Sequence, residues 1–277
     1  KVVHFERGAL QRGLGEADLA LFESYERLRE LVTKLDAENY TQAINLTHNR
    51  LSGYLLSVIN CKEKLGLMLG TEGLANFNSP WFRYLNTQAD AEGDTVFHYT
   101  DIFRFALGLD GTAYPPGLIE TAAGREEANA IVGDGAPYIL VQPLTSDIKK
   151  DWGLERFGEA LSMLTETHPG LRIFILGAPN ERERLQPLVS ELVGKGIEAA
   201  LAICSLAGAF SLLKNAQALL TGDTSIKHLA CAARTKIIEL SLGSSDYHRT
   251  GAYMQGTVIL QSRELCAPCP HSKACHR

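Results

Sequence analysis

The sequence predicts an α/β protein whose second half is a doubly wound domain around a parallel sheet. The chain has 277 residues, enough for two domains of ordinary size, each with its own core. Apolar residues make up 45% of it and charged residues 21%, which is typical of a globular protein and not of a disordered one. In the second half, short apolar runs alternate with longer segments of helical spacing, the pattern of parallel strand–helix units.

The first half contains fewer such units. Apolar residues spaced by three and four between Leu21 and Leu35 predict one face of a helix. The other predicted elements are a strand at Ala43–Leu46, a helix from about Asn49 to Asn60, a short strand near Lys64–Leu67 and a helical segment at Val96–Leu109. Because the chain also opens as if partway through a fold, we expect that it lacks an N-terminal portion. A small accessory domain that is complete as written is the alternative.

A loop rich in Gly, Asp and Pro at Gly133–Pro137 predicts the domain boundary, which gives domains at residues 1–134 and 135–277. A short loop inside one domain is the alternative. Beyond it the predicted strands are Tyr138–Val141, Arg172–Leu176, Ala199–Ile203, Ala218–Thr221 and Lys236–Leu240, and the predicted helices begin near Leu154, Glu181, Ala209 and Ser225.

The bulk properties exclude some function classes. A formal net charge of -5 argues against general nucleic-acid affinity, which depends on clustered Lys and Arg. No apolar run approaches the roughly 18 residues that span a bilayer, and no secretory signal is visible. We therefore expect a cytoplasmic protein, unless a targeting segment lies outside this chain. Cys61, Cys204 and Cys231 stand singly in apolar contexts and are predicted to be buried, reduced thiols.

The loop Gln142–Trp152 follows a predicted strand and carries polar groups suited to a ligand. In open parallel sheets, ligands bind at the carboxyl ends of strands, where loops lead into helix N-termini. This loop has hydroxyls at Thr145 and Ser146 and lysines at Lys149 and Lys150. Such groups suit a diphosphate, because each anionic oxygen needs a donor or a cation. The alternative is a solvated loop with ordinary surface lysines.

Two further loops occupy equivalent places. The Glu181 carboxylate could accept hydrogen bonds from a ribose diol, or it could be a first-turn glutamate favoured by the helix dipole. Asp223 or Thr224 can cap the next helix, whose free N–H groups face the ligand side, with His228 close by. Simple capping with a satisfied histidine is the alternative there. Three such loops in one domain favour a ligand site over three separate structural roles.

Other common sites have no support in the sequence. It contains no Gly-x-Gly-x-x-Gly fingerprint and no Gly-x-x-x-x-Gly-Lys-Ser/Thr loop, so the usual dinucleotide and P-loop sites are not indicated. A nucleophilic Ser or Cys elbow is also absent from the sequence.

The order and spacing of several motifs point to one family. They are Lys150-Asp151-Trp152, Gly177-Ala178 followed by Glu181, and Asp223-Thr224-Ser225-Ile226-Lys227-His228-Leu229-Ala230, with weaker matches at Ala43–Leu46, His98-x-x-Asp101 and Leu242–Ser245. Through most of its length the chain resembles glycosyltransferase family 9, the ADP-heptose:lipopolysaccharide heptosyltransferases.

This resemblance implies the GT-B architecture, two Rossmann-like domains with parallel sheets facing a cleft. The C-terminal domain would hold the donor, and the N-terminal, acceptor-side domain would be incomplete here. The implied reaction is an inverting, metal-independent transfer of a sugar, heptose by family, from an ADP-sugar to a lipopolysaccharide-type acceptor, with no cofactor. The acceptor would be lipid-linked or an oligosaccharide, and a lipid-linked one would imply peripheral contact with the cytoplasmic face of the inner membrane.

The resemblance also assigns roles by position: Thr145, Ser146 and Lys150 to the donor phosphates, Glu181 to the adenosine ribose, and Asp223, Thr224, Ser225 and His228 to the pyrophosphate and sugar. Lys150 and Asp223 are the catalytic candidates. Departure of a nucleotide diphosphate builds negative charge, which Lys150 and the helix start would stabilise.

Two departures from the family pattern matter. Ser225 stands where the family usually has Gly, which adds a side chain beside the pyrophosphate. The family's first strand and its Gly-Asp loop, the expected source of the general base, have no counterpart in this sequence. The missing loop favours one alternative, a catalytically inactive nucleotide-sugar-binding relative. A nucleotide-sugar epimerase of the same fold is a separate alternative.

The C-terminal end carries a cysteine cluster, Cys266, Cys269 and Cys275, close to His271 and His276. This spacing could bind zinc. Structural or redox-labile thiols are the favoured alternative, so no metal site is predicted. We also expect the fold to continue past Arg277, because GT-B folds often close with a helix that crosses back to the first domain.

Overall fold

The computed structural model describes residues 3, 19–47, 49–90, 97–109, 117–133, 136–264 and 267–269. It divides into two compact units. One comprises residues 1–91 and 100–110, and the other residues 92–99 and 111–277. The division into domains at residues 134 and 135 stays a prediction.

The first unit is built on a small mixed sheet. Its elements are α1 (Leu19–Asp36), β1 (Gln42–Asn45), α2 (Arg50–Val58), β2 (Glu63–Leu69), β3 (Ala75–Phe77), α3 (Pro80–Asp90) and α4 (Tyr99–Ala106). Strand β2 lies in the middle, parallel to β1 and antiparallel to β3. Helix α2 packs closely on β2 at Gly53, where a Cβ atom would lie only 3.1 Å from Leu69 Cγ. The Asn45 side chain donates to the Leu67 carbonyl at 2.9 Å and ties β1 to β2.

The second unit is a doubly wound α/β domain. Its elements are α5 (Ala122–Val132), β4 (Tyr138–Gln142), α6 (Leu154–Thr167), β5 (Arg172–Gly177), α7 (Arg182–Gly194), β6 (Ala199–Ile203), α8 (Leu206–Asn215), β7 (Leu219–Gly222), α9 (Ser225–Ala233), β8 (Ile237–Ser241), α10 (Tyr247–Thr250) and β9 (Val258–Gln261). The six strands are all parallel, in the order β6-β5-β4-β7-β8-β9. This architecture confirms the predicted fold class.

The sheet is buried on both faces, which explains its continuous apolar strands. All five residues of β4 are buried. On one face, Tyr138 and Leu140 pack in a core that includes Ala128 of α5, Leu212 of α8 and Ala230 of α9. On the other face, Ile139 and Val141 pack with residues of α6 and α7, including Phe157 and Leu188.

The strand order creates one switch point. The chain winds from β4 outward to β5 and β6, and then returns to place β7 on the other side of β4. Gln142 at the end of β4 lies opposite Thr221 near the end of β7. The loops after β4 and β7 therefore diverge and leave a crevice at the carboxyl ends, where doubly wound domains bind ligands.

The predicted strands and helices of both units are confirmed, although Val96 of one predicted helix lies outside the described residues. The prediction missed β3, β9, α3, α5 and the short helix α10. Strands β3 and β9 are short edge strands, which have few neighbours to impose an apolar pattern. In α5 the buried positions are the small residues Gly124 and Ala128, with Val132, so hydrophobicity reveals little. The burial prediction was wrong for Cys61 and Cys204, which are half-buried, and is confirmed for Cys231. No helix in the described ranges is long and apolar enough to cross a membrane.

Replacing Gly124 with Ala should destabilise the second unit. A Cβ atom there would lie 2.5 Å from the Ala207 carbonyl oxygen of α8, so the helix pair must move apart. We expect a loss of about 1–3 kcal/mol in the free energy of unfolding, measured by urea titration. Gly194→Ala is the matched control, since a Cβ there meets nothing within 4 Å and the substitution should be neutral or slightly stabilising. Equal stability of the two variants would contradict this account of the α5–α8 contact.

Candidate functional site

The loop after β4 is folded around Asp151. The Thr145 backbone N–H donates to Asp151 Oδ1 at 3.0 Å, and the Thr145 hydroxyl lies 2.6 Å from the same oxygen. Between them, a single 3-10 turn at Ile148–Lys150 is capped by the Asp147 side chain, which accepts from the Lys149 N–H. These bonds fix the backbone from which the Lys150 side chain projects.

The loop after β8 packs against this turn. The Ser244 hydroxyl donates to Asp147 Oδ2 at 3.0 Å. Gly243 has a φ of +57°, and a Cβ atom there would lie 2.0 Å from the Lys149 carbonyl oxygen, so only glycine fits. The backbone N–H of Lys149 and the Ser244 hydroxyl both stabilise the carboxylate, and the pKa of Asp147 is lowered as a result.

An ion pair crosses the switch point. Lys150 Nζ, from the loop after β4, lies 2.6 Å from Asp223 Oδ2 in the loop after β7. Lys227 Nζ lies 2.6 Å from the other oxygen, Oδ1, and the Ser245 hydroxyl lies 3.3 Å from Oδ2. Burial alone would raise the pKa of Asp223, but the two ammonium groups outweigh it and the pKa is lowered. Asp223 is thus a carboxylate at neutral pH.

A second buried ion pair lies beneath the first. Lys227 is fully buried, and its Nζ lies 2.8 Å from Oε1 of Glu239, which is also fully buried. Glu239 Oε2 accepts a hydrogen bond from the Ala252 N–H at 2.7 Å. Neither Lys227 nor Glu239 was predicted from the sequence to have a role at the site. The available signals were a lysine one helical turn after Asp223 and a charged residue inside the apolar strand β8.

The start of α9 faces the same crevice. Thr224 is its N-cap, but its side chain makes no capping hydrogen bond. The N–H groups of the first turn, with the positive end of the helix dipole, are thus available to an anion. Ser225, the first helical residue, is exposed. Desolvation of the imidazole lowers the pKa of His228, and the Lys227 ammonium lowers it further, whereas the Asp223 carboxylate raises it. The pKa is on balance below the ordinary histidine value, so the imidazole is neutral at neutral pH.

The remaining predicted residues have other surroundings. Glu181 follows β5, and its Oε2 accepts from the Ala178 N–H at 2.8 Å, which closes the turn into α7. The Thr145 hydroxyl is engaged with Asp151, whereas Ser146 is exposed. Gln142 ends β4 at the switch point, and its buried side-chain oxygen has no hydrogen-bond partner among the described residues.

Only one member of the C-terminal cysteine cluster can be placed. Cys269 is half-buried, and its backbone N–H donates to the Gly243 carbonyl at 2.7 Å. Cys266, Cys275, His271 and His276 lie outside the described residues. Within the described ranges, no group of three or more His, Cys, Asp or Glu side chains is arranged to hold a metal ion.

Asp223 should make the folded protein sensitive to acid. Because its pKa is lowered on folding, its carboxylate stabilises the fold above the ordinary aspartate pKa of about 4, and this stabilisation is lost as the pH falls through the lowered value. Asp223→Asn should therefore lower the free energy of unfolding by about 1–3 kcal/mol at neutral pH. The difference from the unmodified protein should shrink below about pH 4 in urea titrations.

Glu183→Gln is the matched control, because Glu183 is an exposed carboxylate on α7. It should change the stability little at any pH. A difference between Asp223→Asn and the unmodified protein that stays constant down to about pH 3 would show that the Asp223 charge does not contribute.

Comparison with known proteins shows the family to which the chain belongs. The family model described as glycosyltransferase family 9 (heptosyltransferase) matches residues 28–276. Lipopolysaccharide heptosyltransferase 1 of Pseudomonas aeruginosa is 32% identical over 165 residues, which are 60% of this chain and 44% of that protein. The chain thus spans less than half the length of this curated relative.

Two solved structures share the fold. A family 9 glycosyl transferase from Veillonella parvula superposes with a TM-score of 0.66 at 18% identity, over 87% of this chain and 68% of that one. The E. coli heptosyltransferase WaaC with ADP gives a TM-score of 0.58 at 19% identity, over 87% of this chain and 72% of that one. Since the family model matches nearly the whole chain, the chain belongs to glycosyltransferase family 9, the heptosyltransferase family.

Proposed function

We propose that the second unit binds the donor of a sugar transfer, with the diphosphate of an ADP-sugar between Lys150 and the start of α9. The observation that carries this proposal is the Lys150–Asp223 pair across the switch point, 2.6 Å long and beside an uncapped helix N-terminus. A partly exposed lysine next to a helix N-terminus without a capping side chain suits a doubly charged phosphate group. Family membership and the ADP in the E. coli relative support the choice of nucleotide.

The chemistry follows from where charge develops. As the bond between the sugar and the diphosphate breaks, negative charge grows on the departing phosphate oxygen. Lys150 and the α9 N–H groups would stabilise that charge better than they stabilise the bound donor, which lowers the barrier. A cation and a helix terminus would thereby supply the charge that a metal provides elsewhere, so we propose a metal-independent transfer.

The other residues would bind and orient the donor. The Glu181 carboxylate, which follows the neighbouring strand β5, would accept from the ribose hydroxyls through the oxygen that Ala178 does not use. Ser146 and Ser225 would donate hydroxyls to the phosphates, and Thr145 would hold its loop in shape. Neutral His228 could donate or accept at the sugar.

The acceptor side is proposed from the relatives. An acceptor hydroxyl that attacks the anomeric carbon opposite the leaving diphosphate inverts its configuration. The Pseudomonas relative is called a lipopolysaccharide heptosyltransferase, so we propose heptose as the sugar and a lipopolysaccharide-type acceptor. Such a lipid-linked acceptor would place the reaction at the cytoplasmic face of the inner membrane. No residue of this chain is assigned as the general base.

Nucleotide binding tests the donor site directly. In calorimetric titrations the protein should bind ADP more tightly than UDP or GDP. Lys150→Ala should weaken ADP binding about tenfold or more, because a charge-assisted contact to the diphosphate is lost. Glu181→Ala should weaken ADP but have little effect on 2′,3′-dideoxy-ADP, which lacks the ribose diol. Lys195→Ala is the control, since Lys195 pairs with Glu191 at the end of α7. A folded protein that binds none of the three nucleotides would disprove the donor site.

Transfer assays separate the alternative functions. With an ADP-heptose donor and a truncated lipopolysaccharide acceptor, product should form only when the acceptor is present, at a rate that a chelator such as EDTA does not change. Conversion of the donor sugar without any acceptor would indicate an epimerase instead. Binding of ADP with no turnover under either condition would indicate a nucleotide-sugar-binding relative.

A further inference from the structure

The cluster below the donor site contains two lysines with different access to a ligand. The Lys150 side chain is 22% exposed, whereas the Lys227 side chain is 0% exposed. Both bind the Asp223 carboxylate, one on each oxygen, at the same distance of 2.6 Å. Only Lys150 can reach a ligand, so the buried lysine needs a different explanation.

The buried Lys227 ammonium can act only on groups inside the protein. A buried ammonium is strongly unfavourable unless it is paired, and replacement of such pairs by apolar residues is often neutral or stabilising. Lys227 has two anionic partners, Asp223 and Glu239. Together with Lys150 they form a formally neutral set of two cations and two anions, in which Glu239 pairs with Lys227 and Lys150 pairs with Asp223.

We propose that Lys227 is a positioning residue that holds Asp223 as a carboxylate when Lys150 turns from Asp223 to a diphosphate. This inference rests on the proposed donor site. With Lys227 in place, Asp223 keeps one cation at 2.6 Å and the Ser245 hydroxyl at 3.3 Å after Lys150 has left. A ligand that breaks the Lys150–Asp223 ion pair therefore leaves the Asp223 carboxylate with other partners.

Without Lys227, Lys150 would be the last cation beside Asp223. Its departure would leave an unpaired carboxylate in a partly buried site, so Asp223 would compete with the diphosphate for Lys150. Protonation of Asp223 would remove that competition. The charged or titratable groups that face Asp223 are Lys150 from the loop after β4, Lys227 and His228 from α9, with Glu239 of β8 and His98 one step further away.

The test compares two variants that differ only in whether Asp223 keeps its second cation. Glu239→Gln removes the buried negative charge and retains an oxygen for the Ala252 N–H. Lys227→Met with Glu239→Gln removes both buried charges, so neither an unpaired lysine nor an unpaired glutamate remains to prevent folding. Calorimetry with ADP is carried out from about pH 5 to about pH 8, and urea unfolding of each variant establishes that it is folded.

At about pH 8, Glu239→Gln should bind ADP within about twofold of the unmodified protein, and the double variant about tenfold more weakly. The deficit should shrink toward about pH 5, as Asp223 of the double variant becomes protonated and releases Lys150. ADP titrates identically in each experiment, so ratios of affinity at one pH report on the protein. Repeating the comparison with His228→Gln in all three proteins removes the titration of that imidazole.

Equal ADP affinity in the two variants would overturn the role of Lys227, and so would a deficit that does not change with pH. Either result would leave the proposed function standing, because the unmodified protein would still bind ADP. Failure of the unmodified, folded protein to bind ADP would instead disprove the donor site itself.

Discussion

The ion pairs of the Asp223 carboxylate organise the carboxyl edge of the sheet in the second unit. The two carboxylate oxygens bind lysines from two separate segments, and through Lys227 the carboxylate is joined to Glu239 in β8. The Ala252 N–H extends the same chain of bonds to the connection between β8 and β9. These bonds thus join the loop after β4, the start of α9, strand β8 and the connection that follows it, and they pair the buried charges with one another.

Close packing of backbone complements these charges. Gly243 lets the loop after β8 lie directly against the Lys149 carbonyl, and Gly222 lets the end of β7 approach Thr145, where a Cβ atom would be 3.0 Å from its methyl group. Since the backbone on either side of Lys150 is fixed, the freedom of the site lies in the Lys150 side chain. A rigid loop that carries one half-exposed cation suits a site that must be ready before the ligand arrives.

The sequence was most informative where the sheet is buried on both faces. Strands such as β4, with every residue buried, and helices with a clear apolar face could be predicted, and so could the loops at the carboxyl edge. Helix α5 could not, because its contact with α8 depends on Gly124, a residue whose importance lies in the space it leaves. Similarly, Lys150 and Asp223 could be predicted from their places after strands. The bond between them, and the ion pair of Lys227 with Glu239, depend on which strands become neighbours. That order is a tertiary property, and a local pattern does not contain it.

The serine at the start of α9 can be understood in the same terms. The family usually has glycine at this position, and an added side chain could obstruct a diphosphate. Ser225 is exposed, however, and the Thr224 side chain before it does not cap the helix. In the proposed donor site the Ser225 hydroxyl would add a donor beside the charge of Lys150. An anion that meets Lys150 and these N–H groups would therefore gain one more hydrogen bond from Ser225, and the departure from glycine is compatible with the donor site.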